Sequence, residues 1–506
     1  MRRSSPTPTF PLAKSSSLSL LVGYSFLLAL AATGVACIDD PKRNVGSAAA
    51  GQGGSEAGSA GRASEAGSPG EAGEAGSAGN AGEAGAAGNA GEAGSAGDAN
   101  EATAGSPNGG TSANGGASGS PSAGTGGGST DGSHWVGTWT ASPYLAASDA
   151  QPPAPLSNAV LRQVTHVSLG GSSIRVLFSN RVGNGPVTIK SAHVAVCKST
   201  IADSSIDTST DRALAFGGVA TVTIAPGTEV WSDPVAFTMA GLSNVSITTA
   251  FGSVPSSLTA HAGSRTTSYV VPASSDVSAA NLLTTSQGTD HWYYISGIDV
   301  MADASAKGIV AIGDSITDGR GTDTNKNNRW TDVLAARLSN NPATANVSVM
   351  NQGIGATTLI GGGTAAQTRF ARDVLGQSGV KYAIILDGVN DIGGGASFAS
   401  MKTVYDGLIS SAHAKGVLVF GATITPFGGS SYYSVAHESV RTQVNAYIKG
   451  GAFDGFIDFD TAVSDGGSPP KLAVSYATWA QTDGLHPGPA GNQKMGDTPD
   501  LTLFTQ

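Results

Sequence analysis

Cysteine is nearly absent: only Cys37 and Cys197 occur in 506 residues. With so few, no disulfide framework supports the fold, and a cysteine-rich zinc site is excluded. Charge is scarce too, at 13% of residues, and aromatic residues reach only 6%. The formal charge of −10 suggests an acidic protein, but the acids are not spread evenly. Between Gly46 and Asp131, Glu56, Glu65, Glu71, Glu74, Glu83, Glu92, Asp98, Glu101 and Asp131 face Arg62 alone, so nearly all the imbalance lies in one tract. The remainder has no basic cluster or stripe, which argues against nucleic acid as a partner.

What the sequence has in excess is glycine, 72 residues of it, concentrated in that same acidic tract. Residues 38–132 are Gly, Ala, Ser, Glu and Asn with almost no large apolar side chain. Such a segment cannot bury enough surface to offset its ordering entropy, so a disordered tether is expected there. Glycine falls on every third position from Gly67 to Gly97, but Pro69 is the only imino acid among them, which disfavours a collagen helix. Ahead of the tract, residues 1–37 read as an export signal: Arg2, Arg3 and Lys14, then an apolar stretch from Leu18 to Ala36. Cys37 follows small residues in a pattern that resembles the lipobox of bacterial lipoproteins, though Gly34 stands where that pattern has leucine. The resemblance implies membrane attachment through a lipidated Cys37, as a cell-surface or outer-membrane lipoprotein; ordinary signal cleavage, which leaves the protein secreted, and an uncleaved anchor are the alternatives. Cys197 then has no partner, and its setting on a strand predicts a buried, inert thiol.

Two rhythms divide the rest. Residues 133–304 hold short alternating runs rich in Val, Thr, Ser and Ile, such as Ser173–Phe178 and Val245–Thr248, broken by Gly170-Gly171, Asn184-Gly185 and Pro226-Gly227. Regular short strands without intervening helices predict an all-β, sandwich-like accessory domain. Trp135, Trp139, Trp231 and Trp292 are expected to pack rather than to form a sugar platform. In residues 305–506 the apolar strands Gly308–Ile312, Val347–Asn351, Tyr382–Leu386, Val417–Thr423 and Gly455–Phe459 alternate with helical segments at Trp330–Leu338, Phe370–Leu375, Phe398–Ala414 and Ser439–Ile448. That alternation predicts a three-layer α/β/α, flavodoxin-like domain with five parallel strands.

In such a sheet, ligands bind at the carboxyl ends of the strands, and here each end carries a distinctive polar element. The first strand delivers Gly313-Asp314-Ser315, the second Asn351-Gln352-Gly353-Ile354-Gly355-Ala356, the third Gly388-Val389-Asn390-Asp391; Asp483-Gly484-Leu485-His486 lies near the end. A serine hydroxyl becomes a nucleophile when a base takes its proton, and a carboxylate on the far nitrogen of a histidine fixes its tautomer. Ser315, His486 and Asp483 are the candidates for these roles. The Ser315 N–H, a backbone N–H from Gly355 or Ala356, and the Asn390 amide are candidate oxyanion donors. Asp314 and Asp391 suit loop-holding hydrogen bonds. Of the other histidines, His261, expected in a polar loop, stands out. No His or carboxylate cluster supports a metal.

These four blocks, in this order and strand context, resemble the SGNH (GDSL) hydrolase superfamily. The resemblance implies Ser315 as nucleophile, His486 as base, Asp483 as its partner and Asn390 as oxyanion donor, with neither metal nor organic cofactor. The second block departs from the pattern by placing Ala356 where glycine is usual. Trp135-Val136-Gly137-Thr138-Trp139-Thr140-Ala141-Ser142-Pro143, with Thr423–Phe427 and Tyr432-Tyr433, is similar to a bacterial branch likened to acetylxylan esterases. It implies a serine esterase acting through an acyl-enzyme on short-chain (acetyl) carbohydrate esters, small or polymeric. A lipase or lysophospholipase, and a non-catalytic surface carbohydrate-binding protein, are the competing expectations.

Overall fold

The computed structural model describes residues 132–198, 203–272, 274–477 and 483–506. The export segment, Cys37 and the glycine-rich tract before residue 132 lie outside the described residues.

From residue 134 the chain builds antiparallel sheets. One orders His134–Thr140, Ile295–Ala302, Gly171–Ser179 and Glu229–Trp231, with Val235–Met239 also paired to Gly171–Ser179. The second orders Gln287–Thr289, Ser268–Val271, Val160–His166, Asn244–Phe251, Val187–Val196 and Arg212–Leu214, with Val222–Ile224 also on Val187–Val196. Val176, Phe178, Ile298 and Val300 of the first share one buried cluster with Leu161, Val187, Ile189, Val245 and Ile247 of the second. This is the sandwich arrangement, two sheets closing over alternate inward residues. A small third sheet joins Trp292–Tyr293, Thr259–His261 and Tyr144–Leu145. The tryptophans pack: Trp139 meets Trp292 edge-on at 4.9 Å between centroids. The Arg175 guanidinium lies over both Trp135 (4.8 Å) and Trp231 (4.4 Å). Cys197 is a buried free thiol whose pKa burial pushes up to about 11.

The C-terminal region is a parallel sheet of five strands: β1 (Lys307–Gly313), β2 (Val347–Gly353), β3 (Val380–Leu386), β4 (Leu418–Ala422) and β5 (Gly455–Ile457). They lie in the order β2-β1-β3-β4-β5, a doubly wound order in which the progression of strands reverses between β1 and β3. Ile309, Val310, Ala311 and Ile312 are wholly buried, which is why β1 reads as an unbroken apolar run. The helices are α1 (Ser315–Asp318), α2 (Trp330–Ser339), α3 (Ala366–Asp373), α4 (Val389–Gly393), α5 (Phe398–His413), α6 (Val435–Tyr447), α7 (Phe459–Val463) and α8 (Pro489–Asp497). α2, α7 and α8 pack together, as do α3, α5 and α6.

The boundaries differ from expectation for local reasons. The last strand stops at Ile457, not Phe459, because the Asp458 side chain caps α7 by accepting the Thr461 N–H at 3.2 Å. α6 begins at Val435 because Ser434 caps it through the His437 N–H. α8 was not expected at all. Its buried face is Gly491, Asn492, Met495 and Gly496, with Met495 the single large apolar side chain and so no apolar stripe. A Cβ on Gly496 would stand 2.4 Å from Val333 Cβ, so these small residues let α8 approach α2 closely.

The two regions belong to one compact unit. Strand His134–Thr140 lies along β2: Ser348 Oγ donates to Gly137 O (2.7 Å), Thr140 Oγ1 to Asn351 O (3.1 Å), and the Val349 N–H to Ser168 Oγ (2.9 Å). A Cβ on Gly137 would come within 2.3 Å of Met350 Sδ, so any side chain there would have to displace the end of Met350.

Candidate active site

Strand β1 ends at Gly313, where a Cβ would collide with Leu386 O at 2.2 Å; β1 and β3 approach too closely there for a side chain. Asp314 then caps α1, its carboxylate accepting the Ile316 N–H at 2.8 Å. Ser315 is thereby the first residue of a helix, where the backbone N–H has no partner within the helix. Its side chain is held at the surface of the core, 5% exposed.

Some 170 residues later in the chain, the loop before α8 brings up the histidine. His486 Nε2 lies 2.7 Å from Ser315 Oγ, and His486 Nδ1 lies 2.6 Å from Asp483 Oδ2. Asp483 is itself fixed, its Oδ1 accepting the N–H groups of Leu485 (2.9 Å) and His486 (3.0 Å). Partial burial works against its charge, but the His486 ring and these two N–H groups prevail and hold the carboxyl well below the usual carboxylate range. The turn that permits this contains Gly484 at φ 67°, seated against the backbone of Gly429. An ionised carboxylate, an imidazole and a serine hydroxyl thus form one chain of hydrogen bonds.

Two loops flank Ser315. After β2, the Ile354 N–H donates to Gly313 O (3.0 Å), tying this loop to the end of β1. Ala356 adopts φ 59°, a left-handed conformation that glycine takes freely and alanine takes only under strain. Of the two backbone donors considered at this position, the Gly355 N–H is engaged with Asp318 Oδ2 at 3.1 Å. The Ala356 N–H has no acceptor among the described residues. After β3, Gly388 at φ 114° leads into α4, which carries Asn390. The Asn390 amide nitrogen donates to Thr357 O (2.7 Å), and its oxygen accepts from the Tyr432 hydroxyl (3.0 Å). Tyr432 therefore fixes which way the amide faces and leaves one N–H hydrogen of Asn390 free.

Beneath these loops lie three buried carboxyls. Asp391 accepts the N–H groups of Leu359 (2.7 Å) and Ile360 (2.9 Å), the loop-holding part its position suggested. Burial, aided by the neighbouring Asp391 charge, pushes Asp314 up to about 7. Burial and the Asp314 charge hold Asp387 well above the ordinary carboxylate range. Arg369, also buried, donates to Gly313 O (2.9 Å) and Thr364 O (2.8 Å). It shares the buried face of α3 with Ala366, Phe370 and Asp373, although an arginine is ordinarily left in solvent. Among the described residues, no group of three or more His, Cys, Asp or Glu is arranged to hold a metal ion.

The arrangement brings a serine, a histidine and an aspartate into one hydrogen-bonded chain at the strand ends of a doubly wound sheet. Residues 311–494 match the GDSL-like Lipase/Acylhydrolase family, which marks this part of the chain as a carboxylic ester hydrolase domain. Similar solved structures include a variant of an acetyl xylan esterase from Geobacillus stearothermophilus, at 19% identity, covering 38% of this chain and 93% of that one, with a TM-score of 0.30. A GDSL-like lipase from Bacteroides thetaiotaomicron is similar at 19% identity, covering 38% of this chain and 85% of that one, with a TM-score of 0.29. No curated protein matches the chain.

Proposed function

We infer that the protein is an exported serine esterase that works through an acyl-Ser315 intermediate, with short-chain (acetyl) esters of carbohydrates as its substrates. The observation that carries the reading is the continuous bond chain from Ser315 Oγ through the His486 ring to Asp483. As Ser315 Oγ attacks the ester carbonyl carbon, His486 Nε2 takes its proton and Asp483 steadies the imidazolium. The negative charge on the carbonyl oxygen is met by the N–H groups of Ser315 and Ala356 and the free N–H of Asn390. Collapse expels the alcohol, which receives the proton from His486. Water then repeats the sequence against the acyl-serine, releasing the acid and restoring the hydroxyl.

The carbohydrate part of the reading is supported by the likeness of the Trp135–Pro143 and Thr423–Phe427 blocks to the acetylxylan-esterase branch. The basic residues before Leu18–Ala36 support export. The test is acetate release from acetylated xylan beside fatty-acid release from a phospholipid, by the wild type and Ser315→Ala. We expect acetate release to dominate and Ser315→Ala to lose about a million-fold in kcat. Equal rates for the two proteins would remove Ser315 from the reaction, and dominant fatty-acid release would make the enzyme a lipase.

A further inference from the structure

The Gly355 N–H is held by Asp318, and Asp318 is held by the antiparallel region. His261 lies at the end of strand Thr259–His261 rather than in the loop expected from the sequence, and it is 5% exposed. Its Nδ1 is 2.9 Å from Ser142 O, and its Nε2 is 3.0 Å from Asp318 Oδ1. Burial opposes the charge on Asp318, but the His261 ring, with Arg265 and Arg329 nearby, keeps this carboxyl below the usual range. The peptide oxygen and the carboxylate accept hydrogen bonds, so the His261 ring sits between two acceptors, one from each region. Tyr144 and Trp292 pack against it, at 5.6 Å and 5.8 Å between centroids.

Asp318 closes the short helix that Ser315 opens. One of its oxygens faces His261 and the other accepts the Gly355 N–H, next to the strained Ala356. Arg329 adds a second tie across the same contact, its Nε donating to Asp318 O (2.9 Å) and its Nη2 to Gly263 O (3.1 Å). The backbone of Gly263 approaches so closely that a Cβ there would stand 2.1 Å from Asp318 Oδ2. The adjoining cavity, lined by Trp139, His166, Asn327 and Asn351, holds about 40 Å³, room for about one water and not for a sugar ring. The pair is interior machinery, not a substrate pocket.

We propose that His261 and Asp318 are positioning residues for ester hydrolysis: through them the antiparallel region sets the Gly355–Ala356 turn that presents an oxyanion donor. This rests on the serine-esterase reading above. Hydrolysis of a chromogenic acetyl ester by the full chain tests it, with folding followed by thermal melting. Misplacing a donor by about 1 Å costs on the order of a hundredfold, so Asp318→Ala should lose between tenfold and a hundredfold in kcat with KM little changed. Asp318→Asn should recover most of that loss, because its amide oxygen still accepts from Gly355 while its amide nitrogen faces the His261 ring. If Asp318→Ala does not fold, His261→Met and His261→Gln replace it. They are similar in size, and only glutamine keeps a donor to Asp318, so kcat should fall in the methionine variant and recover in part in the glutamine one.

Folded Asp318→Ala or His261→Met with wild-type kcat, or Asn and Gln variants as impaired as their partners, would overturn the proposal while leaving the esterase reading intact. A wild type that hydrolyses no faster than Ser315→Ala would instead overturn the reading beneath it.

Discussion

Two strands in this molecule are buried from both sides, and they reach that state by opposite chemistry. β1 is apolar throughout its interior, covered by the neighbouring strands and by helices. Strand Asn244–Phe251 is buried at all eight residues, yet half of them carry polar side chains: Asn244, Ser246, Thr248 and Thr249. Its inward residues Val245, Ile247 and Phe251 join the sandwich core. On its other face, the Arg162 guanidinium donates to Thr248 Oγ1 (2.8 Å), Ser278 O (3.0 Å) and Ala280 O (2.7 Å). Burial pushes Arg162 down to about 10. Thr249 Oγ1 aside, polar groups here are consumed within the fold. In the parallel sheet they are displaced to the strand ends, where Ser315, Ala356 and Asn390 keep N–H groups without acceptors among the described residues. The difference teaches where chemistry is available: at strand ends, not in a polar interior.

Breaking a strand end should therefore cost rate without stability. Asn390→Ala should lower kcat by about a hundred- to a thousandfold, with the melting temperature nearly unchanged in the same preparation. A large fall in melting temperature with little change in kcat would reverse the assignment.

The buried carboxyls beneath the strand ends sharpen the contrast. A carboxyl whose folded pKa is raised contributes stability that is fully present below its unfolded value and lost as pH rises through its folded one. For Asp314 that window runs from 3.8 to about 7, and Asp387 is raised in the same direction. The melting temperature should fall as pH is raised from about 5 to about 8. Asp387→Asn, neutral throughout, should flatten that fall; an unchanged slope would show that these carboxyls do not govern it.

The smallest effect is expected inside the polar strand. Thr249 Oγ1 is buried without a hydrogen-bond partner among the described residues. Thr249→Val keeps the shape and removes that orphan, so unfolding by denaturant should show a gain of up to about 1 kcal/mol. Esterase activity should not change.

The candidate catalytic blocks were legible because each is contiguous: Gly313-Asp314-Ser315 and Gly388–Asp391 each follow a readable strand within a few residues, and Asp483–His486 is complete within one turn. The rhythm of β1 to β5 was legible for the same reason, being written in runs of adjacent apolar residues. What was not legible depends on approach between distant segments. No local pattern links His261 to Asp318 or Tyr432 to Asn390. Arg369 and α8 contradict local expectation, one being a buried arginine and the other a helix packed through glycines. Ala356 was marked as a departure, but only its φ of 59° shows that the backbone there still follows the path glycine would take.

That alanine has a consequence for when conformational energy is needed. Holding a non-glycine residue in the left-handed region costs roughly 1–2 kcal/mol, and the surrounding contacts meet that cost once, as the chain folds. In the proposed reaction the turn then has no rotation left to make as charge appears on the substrate oxygen. A glycine in its place would relieve the strain and return that freedom, so each turnover would begin from a less settled loop.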